Sequence, residues 1–333
     1  MHNIFVSRRS ILITSAVAAT FPTLIAAPSA LAQSWPTRPI TLIVPYAAGG
    51  NVDLMARWVA PELAKNLGQP VIVDNAIGAG GVIGTEKAVR SKPDGHTFLL
   101  SVESSIVIAR LVTPSTVKYN GLEDLMPVTL LGSMPLVLVG KPELGPKSAI
   151  ELFKDMKANP GKYSYATSGV GTSLHLGGEL LKQQGGVSMV HVPYRVGAQI
   201  MSDLAGNQID LAVIPLPSVM QQIQAGKIKG YGVLGPSTPF LPSTPSLMDI
   251  PQWKRADVPV WQGIFAPLGT DTAIIAKLDT ELRKILATPE MQKKFDDGGV
   301  TRVGLGPKEF AAFLKGESAK FTQVVTRANI RAE

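Results

Sequence analysis

Residues Ile40–Asp53 read ITLIVPYAAGGNVD, an apolar run that passes through two glycines into the polar start of a helix. The run Ile40–Tyr46 predicts a buried strand, and Ala47–Asn51 predicts a glycine-containing loop. Asp53–Leu67 predicts an amphipathic helix that ends at Gly68. A strand followed closely by a helix is the first half of a βαβ unit, so this stretch predicts an α/β fold.

The same unit recurs about 120 residues later in the chain. Tyr163–Thr167 predicts a strand, Ser168–Thr172 a loop, and Ser173–Gln184 a helix. Helices are also predicted at Val82–Ser91 and Gly197–Leu204, and strands at Val71–Asp74, Thr97–Ser101, Val190–Pro193, Ile209–Ile214 and Lys229–Leu234. This alternation predicts parallel sheets in both halves of the chain.

Two apolar stretches are suited to join the two halves. Val128–Gly140 is long enough to cross from one domain to another, and Val258–Ala266 crosses back. From Asp271 onward the pattern is mostly helical, in about three pieces. We therefore expect two α/β domains joined by two crossing strands. Domain 1 comprises residues 33–134 plus 258–333, and domain 2 comprises residues 135–257.

The first 32 residues predict a secretory signal peptide. Arg8-Arg9 precedes an apolar stretch that starts at Ile11, and Ala30-Leu31-Ala32 supplies the small residues for cleavage after Ala32. We expect a mature chain that begins at Gln33 and is exported to the periplasm. The paired arginines resemble a twin-arginine signal, but Sec leaders also contain such pairs, so the export route stays open. Beyond the leader, no apolar run reaches the roughly 20 residues of a membrane-spanning helix.

Composition argues against several classes of function. The chain has 333 residues and no cysteine, which removes thiol catalysis, thiolate metal sites and disulfides. It has four histidines, so we expect no metal site. The net charge of +7 is modest, and no Lys/Arg cluster is interleaved with aromatic residues, which argues against a nucleic-acid partner. We expect a monomer without a cofactor.

The two strand–loop–helix units have the features of an anion site. A helix N-terminus leaves backbone N–H groups without partners and has a partial positive charge. Glycines such as Gly50 and Gly169 let the main chain approach an anion closely. One loop from each domain would then grip a carboxylate or phosphate from both sides. The alternative is that both loops are only tight turns.

Other residues near these loops have two interpretations each. His175 is either a ligand or base, or a capping or packing residue. Asp53 bonds a ligand through water or caps the helix, and Arg195 pairs with a second carboxylate or is solvated. Gly78–Gly84 is close to a dinucleotide fingerprint, but no acidic residue falls at a clear strand end about 20 residues further on, which favours a packing turn.

Five motifs follow one another in order along the mature chain. They are Pro45–Gly50 with Asp53, Ala56 and Arg57; Asn75 with Gly78–Gly84; Lys92–Leu100; Ala166–Leu176; and His191–Arg195 with Asp203, Leu204 and Asp210. Asn159–Gly161 and the stretch from Trp261 to Pro267 fit the same pattern. Together they resemble the tripartite tricarboxylate transporter substrate-binding proteins, also called the Bug or TctC-like receptors. The resemblance covers essentially the whole mature chain.

The resemblance implies a bilobal periplasmic binding protein-like II fold with no catalytic residues. Members of the family capture a small carboxylated solute and hand it to the permease components of a tripartite tricarboxylate transporter. Main-chain N–H groups and ordered waters of the first and fourth motifs hold one ligand carboxylate. The ligand-binding residues implied for this chain are Tyr46, Ala47, Ala48, Gly49, Gly50, Asn51, Asp53, Ser168, Gly169, Val170, Gly171, Thr172, His175 and Asp210.

Two features leave the function incompletely determined. Ile77 stands where the family usually has proline, and Arg195-Val196 replaces a common lysine–glycine pair, so the distal pocket and the solute stay undefined. An exported cofactor-binding enzyme that uses Gly78–Gly84, or a ligand sensor of a signalling system, is an alternative function. An enzyme would need a nucleophile–base pair, for which the chain offers no cysteine and few histidines.

Overall fold

The computed structural model describes residues 1–2, 35–194 and 197–331. Most of the predicted leader, its cleavage site after Ala32, and Arg195 lie outside the described residues. The strands are β1 (Ile40–Val44), β2 (Val71–Asn75), β3 (Thr97–Val102), β4 (Leu125–Met134), β5 (Leu136–Gly140), β6 (Tyr163–Thr167), β7 (Met189–Pro193), β8 (Leu211–Pro215), β9 (Lys229–Leu234), β10 (Val260–Pro267) and β11 (Thr301–Leu305). The helices are α1 (Asn51–Leu67), α2 (Val82–Val89), α3 (Ala109–Val112), α4 (Ala149–Ala158), α5 (Ser173–Gly185), α6 (Gly197–Ala205), α7 (Leu216–Gln224), α8 (Thr272–Leu286), α9 (Pro289–Asp297) and α10 (Pro307–Arg327).

These strands form two separate sheets. Within the described part of the chain, the first sheet has the order β11-β4-β10-β3-β1-β2, and the second has the order β7-β6-β8-β5-β9. In the first sheet β1 pairs in parallel with both β2 and β3, and in the second β6 pairs in parallel with both β7 and β8. The predicted α/β fold class is confirmed.

Both sheets are mixed, whereas the sequence predicted parallel sheets. β10 runs antiparallel to β3 and β4, and β5 runs antiparallel to β8 and β9. The reason is the route of the chain. β5 directly follows β4 of the other sheet, and β10 follows β9 of the other sheet after the connection formed by residues 235–259. Each enters its sheet at the edge where the neighbouring strands end and therefore runs in the opposite direction.

The strand–loop–helix unit at the start of the fold is held by apolar packing. Helix α1 buries Met55, Ala56, Val59 and Leu63 on the face that meets the sheet. This spacing follows the helical period of 3.6 residues. Each large apolar side chain that is fully buried stabilises the fold by about 1.5–3 kcal/mol relative to exposure.

Strand β5 separates two clusters of the core by its alternating side chains. Leu136 and Leu138 join the large cluster that continues into the first sheet, whereas Val137 and Val139 join a smaller cluster on the opposite face. Successive side chains of a strand point to opposite faces, so one apolar strand supplies both layers. This double burial explains the uninterrupted run of apolar residues at this crossing.

Three predictions about elements were wrong in detail. The predicted single stretch Val128–Gly140 consists of two strands, and Pro135 lies between them. The tail contains β11 between its helices, because Thr301–Leu305 pairs with β4. Helix α7 was not predicted, because it follows β8 without an intervening turn signal and its second residue is Pro217. Proline is favoured in the first turn of a helix, where no backbone N–H is needed.

The glycine-rich stretch Gly78–Gly84 is a closely packed turn before α2. A Cβ atom on Gly84 would lie 2.5 Å from the Ala76 carbonyl oxygen and 2.7 Å from Cβ of Pro45. A Cβ atom on Gly81 would lie 2.7 Å from the Tyr46 hydroxyl. These glycines are therefore explained by packing against β1 and its loop.

Two further properties concern only the residues with described coordinates. None of their helices combines the length and the apolar character that crossing a bilayer requires. Nor do three His, Asp or Glu side chains among them converge in a geometry that would hold a metal ion.

Candidate ligand-binding site

The ends of parallel strands from the two sheets face each other. In the first sheet, the loop after β1 and the π-helical turn Ser104–Ile108 after β3 lie at this edge. In the second sheet, the loop after β6 and the start of α7 after β8 lie there. Two hydrogen bonds join the edges: Asn51 Nδ2 donates to Ser218 Oγ over 3.3 Å, and the Ser173 amide donates to Ser104 Oγ over 3.3 Å.

The first loop ends in a helix whose N-terminus is open. Gly50 is the N-cap residue of α1, and no side chain of the described chain caps this end. The amides of Asn51, Val52 and Asp53 therefore have no hydrogen-bond partner among the described residues. Residues 47–50 are exposed. Free amides at the positive end of a helix, here one of 17 residues, are donors of the kind that bind anions in proteins.

Asp53 holds the first loop in shape. Its buried carboxylate accepts hydrogen bonds from the Gly49 amide (2.8 Å) and Arg57 Nε (2.8 Å) through Oδ2, and from Asn75 Nδ2 (2.9 Å) through Oδ1. Burial opposes ionisation, but the bonds from Arg57, Gly49 and Asn75 outweigh it and lower the pKa of Asp53. Because these donors occupy both oxygens, Asp53 positions Gly49 rather than facing the cleft.

The second loop is built by its own glycines and by a capped helix. Gly169 has φ +119° and Gly171 has φ +77°. Thr172 Oγ1 accepts from the His175 amide (3.3 Å) and donates to the Gly169 carbonyl (2.8 Å), so it closes the loop and caps α5. Ser168 and Val170 remain exposed. The loop therefore presents main-chain groups and the exposed Ser168, with the Thr172 hydroxyl turned inward.

A stacked histidine pair lies behind the second loop. The rings of His175 and His191 are 4.2 Å apart with an interplanar angle of 25°. The Gly171 amide donates to His175 Nδ1 over 3.4 Å, and His191 Nε2 lies 2.7 Å from Thr167 Oγ1. His175 thus supports the loop from inside the lobe, as the packing interpretation proposed.

Burial determines the charge of this pair. It lowers the pKa of His175, and it lowers the pKa of His191 to about 4, with the neighbouring His175 contributing in the same direction. Glu179 opposes both shifts, but it already accepts hydrogen bonds from Tyr165 (2.7 Å) and Lys182 (2.7 Å). Both imidazoles are therefore neutral at pH 7.

The structure does not bring Asp210 to the other candidates. Asp210 precedes β8, at the end opposite the cleft, and pairs with Lys141 Nζ at 2.7 Å. It also accepts from the amide and hydroxyl of Ser164, both at 2.9 Å. Ser164 and Ser168 are four residues apart in the chain, about 13 Å along an extended strand. Asp210 therefore fixes the far ends of β6 and β8.

The remaining candidates lie around the cleft in three settings. Exposed positions are Ala47, Ala48, Gly49, Gly50, Ser168 and Val170; half-buried positions are Tyr46, Asn51, Gly169 and Gly171; buried positions are Asp53, Thr172 and His175. Burial raises the pKa of the Tyr46 hydroxyl, which lies against Gly81. Tyr46 is therefore a neutral wall of the first loop.

Sequence reasoning missed two parts of this edge. One is the start of α7 with Ser218, which faces Asn51. The other is Glu103-Ser104 at the end of β3: Glu103 is fully buried, accepts from the Trp261 amide (3.0 Å) and has a pKa raised by burial to about 7. Part of the signal was available, because Thr97–Ser101 was predicted as a strand. Its pairing with β1 comes only from the structure, and parallel neighbours end at the same edge of a sheet.

Chemically, the arrangement offers hydrogen-bond donors to an anion. The donors are main-chain amides at the start of α1, supported by the second loop and by the start of α7 across the cleft. Charge-assisted hydrogen bonds from such groups to a carboxylate are short and directional. The cleft is therefore suited to holding a small acid between the two sheets.

Comparison with known proteins agrees with this geometry. The model of the tripartite tricarboxylate transporter family receptor, TctC, matches residues 55–330. The periplasmic binding protein BugD is 31% identical, with a TM-score of 0.81 over 90% of this chain and 100% of its own. Rpa4515 from R. palustris with adipate is 29% identical, with a TM-score of 0.83 over 89% of this chain and 99% of its own.

A further solved structure extends the similarity. MatC from Rhodopseudomonas palustris with bound malate is 27% identical, with a TM-score of 0.78 over 87% of this chain and 100% of its own. All three neighbours match over nearly their full length, and the family model covers most of this chain. The chain therefore belongs to the tripartite tricarboxylate transporter receptor family and has the two-lobed fold of its periplasmic binding proteins.

Proposed function

We propose that this protein is a periplasmic receptor that captures a small organic dicarboxylate between two lobes. The observation that carries the proposal is the uncapped N-terminus of α1, whose amides have no partner in the described chain. Beside them, the Asn51 side chain donates to Ser218 Oγ of the other lobe over 3.3 Å. An anion at this point would satisfy donors from both lobes. The adipate and malate in the similar proteins are acids of this class.

The proposed ligand contacts are the main chain of the two loops. The first loop supplies the amides of Ala47, Ala48 and Asn51, and the second loop those of Ser168 and Val170, which have no hydrogen-bond partner among the described residues. The glycine amides of both loops already donate within the chain and so shape the loops. Tyr46 forms a wall, and Asp53 and His175 support the loops from behind. Asp210 is left out because of its position at the far ends of the strands. No residue in this arrangement is assigned a catalytic role, and the protein is proposed to bind its solute without transforming it.

The proposed lobes follow the two sheets. Residues 33–134 plus 258–333 form one lobe and residues 135–257 the other, so that the two crossings lie near Pro135 and Val258. The receptor acts as a monomer and delivers its solute to the membrane permease of a tripartite tricarboxylate transporter, as the name of its family suggests.

The predicted leader supports the proposed location. N-terminal sequencing of the protein from a periplasmic extract should begin at Gln33. A chain that keeps residues 1–32 and stays in the cytoplasm would contradict the location without changing the proposed ligand class.

A thermal-shift panel tests the proposed ligand class. The mature protein is heated with saturating adipate, malate, succinate and citrate, and with the diamides of the dicarboxylates as matched uncharged controls. A ligand at 100 times its Kd stabilises the folded state by about 2.7 kcal/mol, which raises Tm by several degrees. At least one acid should raise Tm while its amide does not.

Native mass spectrometry of the protein purified from its own host separates receptor from enzyme. A retained organic acid supports the receptor, whereas a retained dinucleotide would contradict it and favour an exported cofactor enzyme. The absence of any shift across a wide panel of carboxylates would contradict the ligand class.

A further inference from the structure

A basic pocket lies on the side of the molecule, outside the two loops. It has a volume of about 330 Å³, and Gln183, Gln184, Gln252, Lys254, Arg255 and Arg327 contribute to its lining. Three of these six side chains are cationic, and no acidic side chain among the described residues lines the pocket. The basic pocket is therefore a concave surface whose charged side chains, among the described residues, are all positive.

The charges of the three cations are not neutralised within the described chain. Some other exposed cations do pair with a nearby carboxylate, as Lys87 does with Asp74 at 2.6 Å and Lys293 with Asp297 at 2.7 Å. Lys254, Arg255 and Arg327 take part in none of the ion pairs found between described residues. Their charge is left to attract an anion from outside the chain.

One wall of the basic pocket is rigid. The segment that carries Lys254 and Arg255 is anchored to α5, because Trp253 Nε1 donates to the Leu181 carbonyl (2.9 Å) and the Arg255 amide donates to Gln184 Oε1 (3.1 Å). Trp253 is fully buried and meets Phe153 edge to face, with ring centroids 5.0 Å apart. The two cations therefore project from a fixed base.

The opposite wall belongs to the other sheet. Arg327 lies in the last turn of α10, which packs on β4 of the first sheet. Glu317 of the same helix accepts from Trp261 Nε1 over 3.1 Å, which ties α10 to the crossing strand β10. Helix α5, by contrast, begins at the second ligand loop. The distance between the walls thus depends on how the two sheets are placed relative to each other.

The solvent exposure of its cations makes the basic pocket better suited to an acidic protein surface than to a small anion. Lys254, Arg255 and Arg327 are all exposed. Ion pairs between exposed side chains and a small anion in water are weak, because solvent screens them. A protein surface that covers the concavity excludes that water, so acidic side chains reaching into it interact more strongly.

We propose that the basic pocket is a docking surface for an acidic segment of the membrane partner to which the receptor delivers its solute. The inference rests on the proposed function, since a receptor that hands over a solute needs a surface for its partner. Because the walls come from both lobes, the partner's acidic segment is held in full only in one arrangement of the lobes. The affinity of the basic pocket for the partner therefore depends on whether the cleft between the lobes is open or closed.

A peptide titration tests this inference without using any solute. A fluorescein-labelled hexaglutamate peptide is titrated with the mature protein, and binding is followed by fluorescence anisotropy at low and high salt. In one variant Lys254→Gln, Arg255→Gln and Arg327→Gln are combined. In the matched control Lys227→Gln, Lys308→Gln and Lys315→Gln are combined, three exposed cations without an ion-pair partner in the described chain.

The wild type and the control triple variant should bind the peptide with affinities within about twofold, and added salt should weaken both. The pocket triple variant should bind at least tenfold more weakly, while circular dichroism and the Tm shift with carboxylates stay unchanged. Equal losses in both triple variants, or no binding by the wild type, would overturn the proposal. So would a pocket-dependent affinity for phosphatidylglycerol vesicles without binding of the peptide, which would assign the surface to lipid.

The two proposals fail in distinguishable ways. If no carboxylate raises Tm, the proposed solute class is wrong whatever the peptide does. If carboxylates bind and the pocket variant keeps its affinity for the peptide, only the docking surface is wrong.

Discussion

Gly49 shows how one backbone angle and one buried carboxylate shape the first loop. Its φ of +80° lies in the left-handed region, which costs glycine little and other residues more. The Asp53 carboxylate then holds the Gly49 amide at 2.8 Å and turns the loop toward the start of α1. Gly50, which the sequence pointed to, has an ordinary φ of −76° and is not the residue that needs glycine's freedom.

Gly169→Ala tests the second loop at the scale of one residue. Gly169 has φ +119°, and no atom lies within 4 Å of a Cβ placed there, so the substitution strains the backbone without a steric clash. We expect the affinity for the carboxylate to fall by more than tenfold, which corresponds to about 1.4 kcal/mol or more. Isothermal titration calorimetry measures it.

Gly161→Ala is the matched control for this change. Gly161 has φ +76°, also has open space around its Cβ position, and precedes the same strand β6 at the end away from the cleft. Both variants should lose a similar free energy of unfolding, and only Gly169→Ala should lose affinity. Equal losses of affinity would show that the loop acts through general stability.

At the scale of elements, the sequence predicts a strand or helix well where the periodicity of its apolar residues and the positions of flanking glycines indicate the same bounds. β6 was predicted with its observed bounds, and α1 with a start two residues from the observed one. β11 was missed because Thr301–Leu305 is a strand only through its pairing with β4. α7 was missed because it follows β8 without a turn signal and has Pro217 in its first turn. Asp210 fits a family motif, but only the direction of β8 shows that it points away from the cleft.

The histidine pair gives α5 and its loop a pH dependence. The pKa of His191 is lowered to about 4, against about 6.5 in an unfolded chain, so the unfolded state binds more protons between these values. Stability is therefore present above pH 6.5 and is lost as the pH falls toward 4. We expect the His191 contribution to stability to fall by about 1–2 kcal/mol between pH 7.5 and 5.0, allowing for partial solvent screening.

Urea unfolding at these two pH values checks the prediction. The difference in unfolding free energy between the wild type and His191→Gln isolates this contribution and should shrink by that amount from pH 7.5 to 5.0, because Glu103 and His175, which also titrate in this window, are present in both proteins. An unchanged slope in the variant would assign the effect to other groups.

At the scale of the whole molecule, two hydrogen bonds and two chain crossings connect the lobes near the cleft. Asn51–Ser218 and Ser104–Ser173 span the cleft, and the crossings lie next to Pro135 and Val258. Each lobe supplies only part of the proposed anion site, so a ligand favours the arrangement in which both parts meet. The lobes are therefore expected to close on the solute.

Small-angle X-ray scattering of the mature protein should show a smaller radius of gyration with saturating carboxylate than without it. Asn51→Ala combined with Ser218→Ala removes one contact between the lobes and should increase the radius of the unliganded protein or leave it unchanged. Identical scattering of the wild type with and without bound ligand would contradict closure on this scale.

The central claim is that main-chain amides at helix starts, rather than a side-chain charge, hold the solute's carboxylate. Isothermal titration calorimetry is the decisive measurement. The acid that gives the largest thermal shift and the amide of that acid are each titrated into the wild type, Gly169→Ala and Arg195→Ala. We expect the amide to bind at least 100-fold more weakly than the acid, a difference of about 2.7 kcal/mol. We also expect Gly169→Ala to lose more than tenfold in affinity for the acid and Arg195→Ala less than tenfold. Loss of binding in Arg195→Ala, together with normal binding in Gly169→Ala, would contradict the claim and replace the amide grip with a salt bridge.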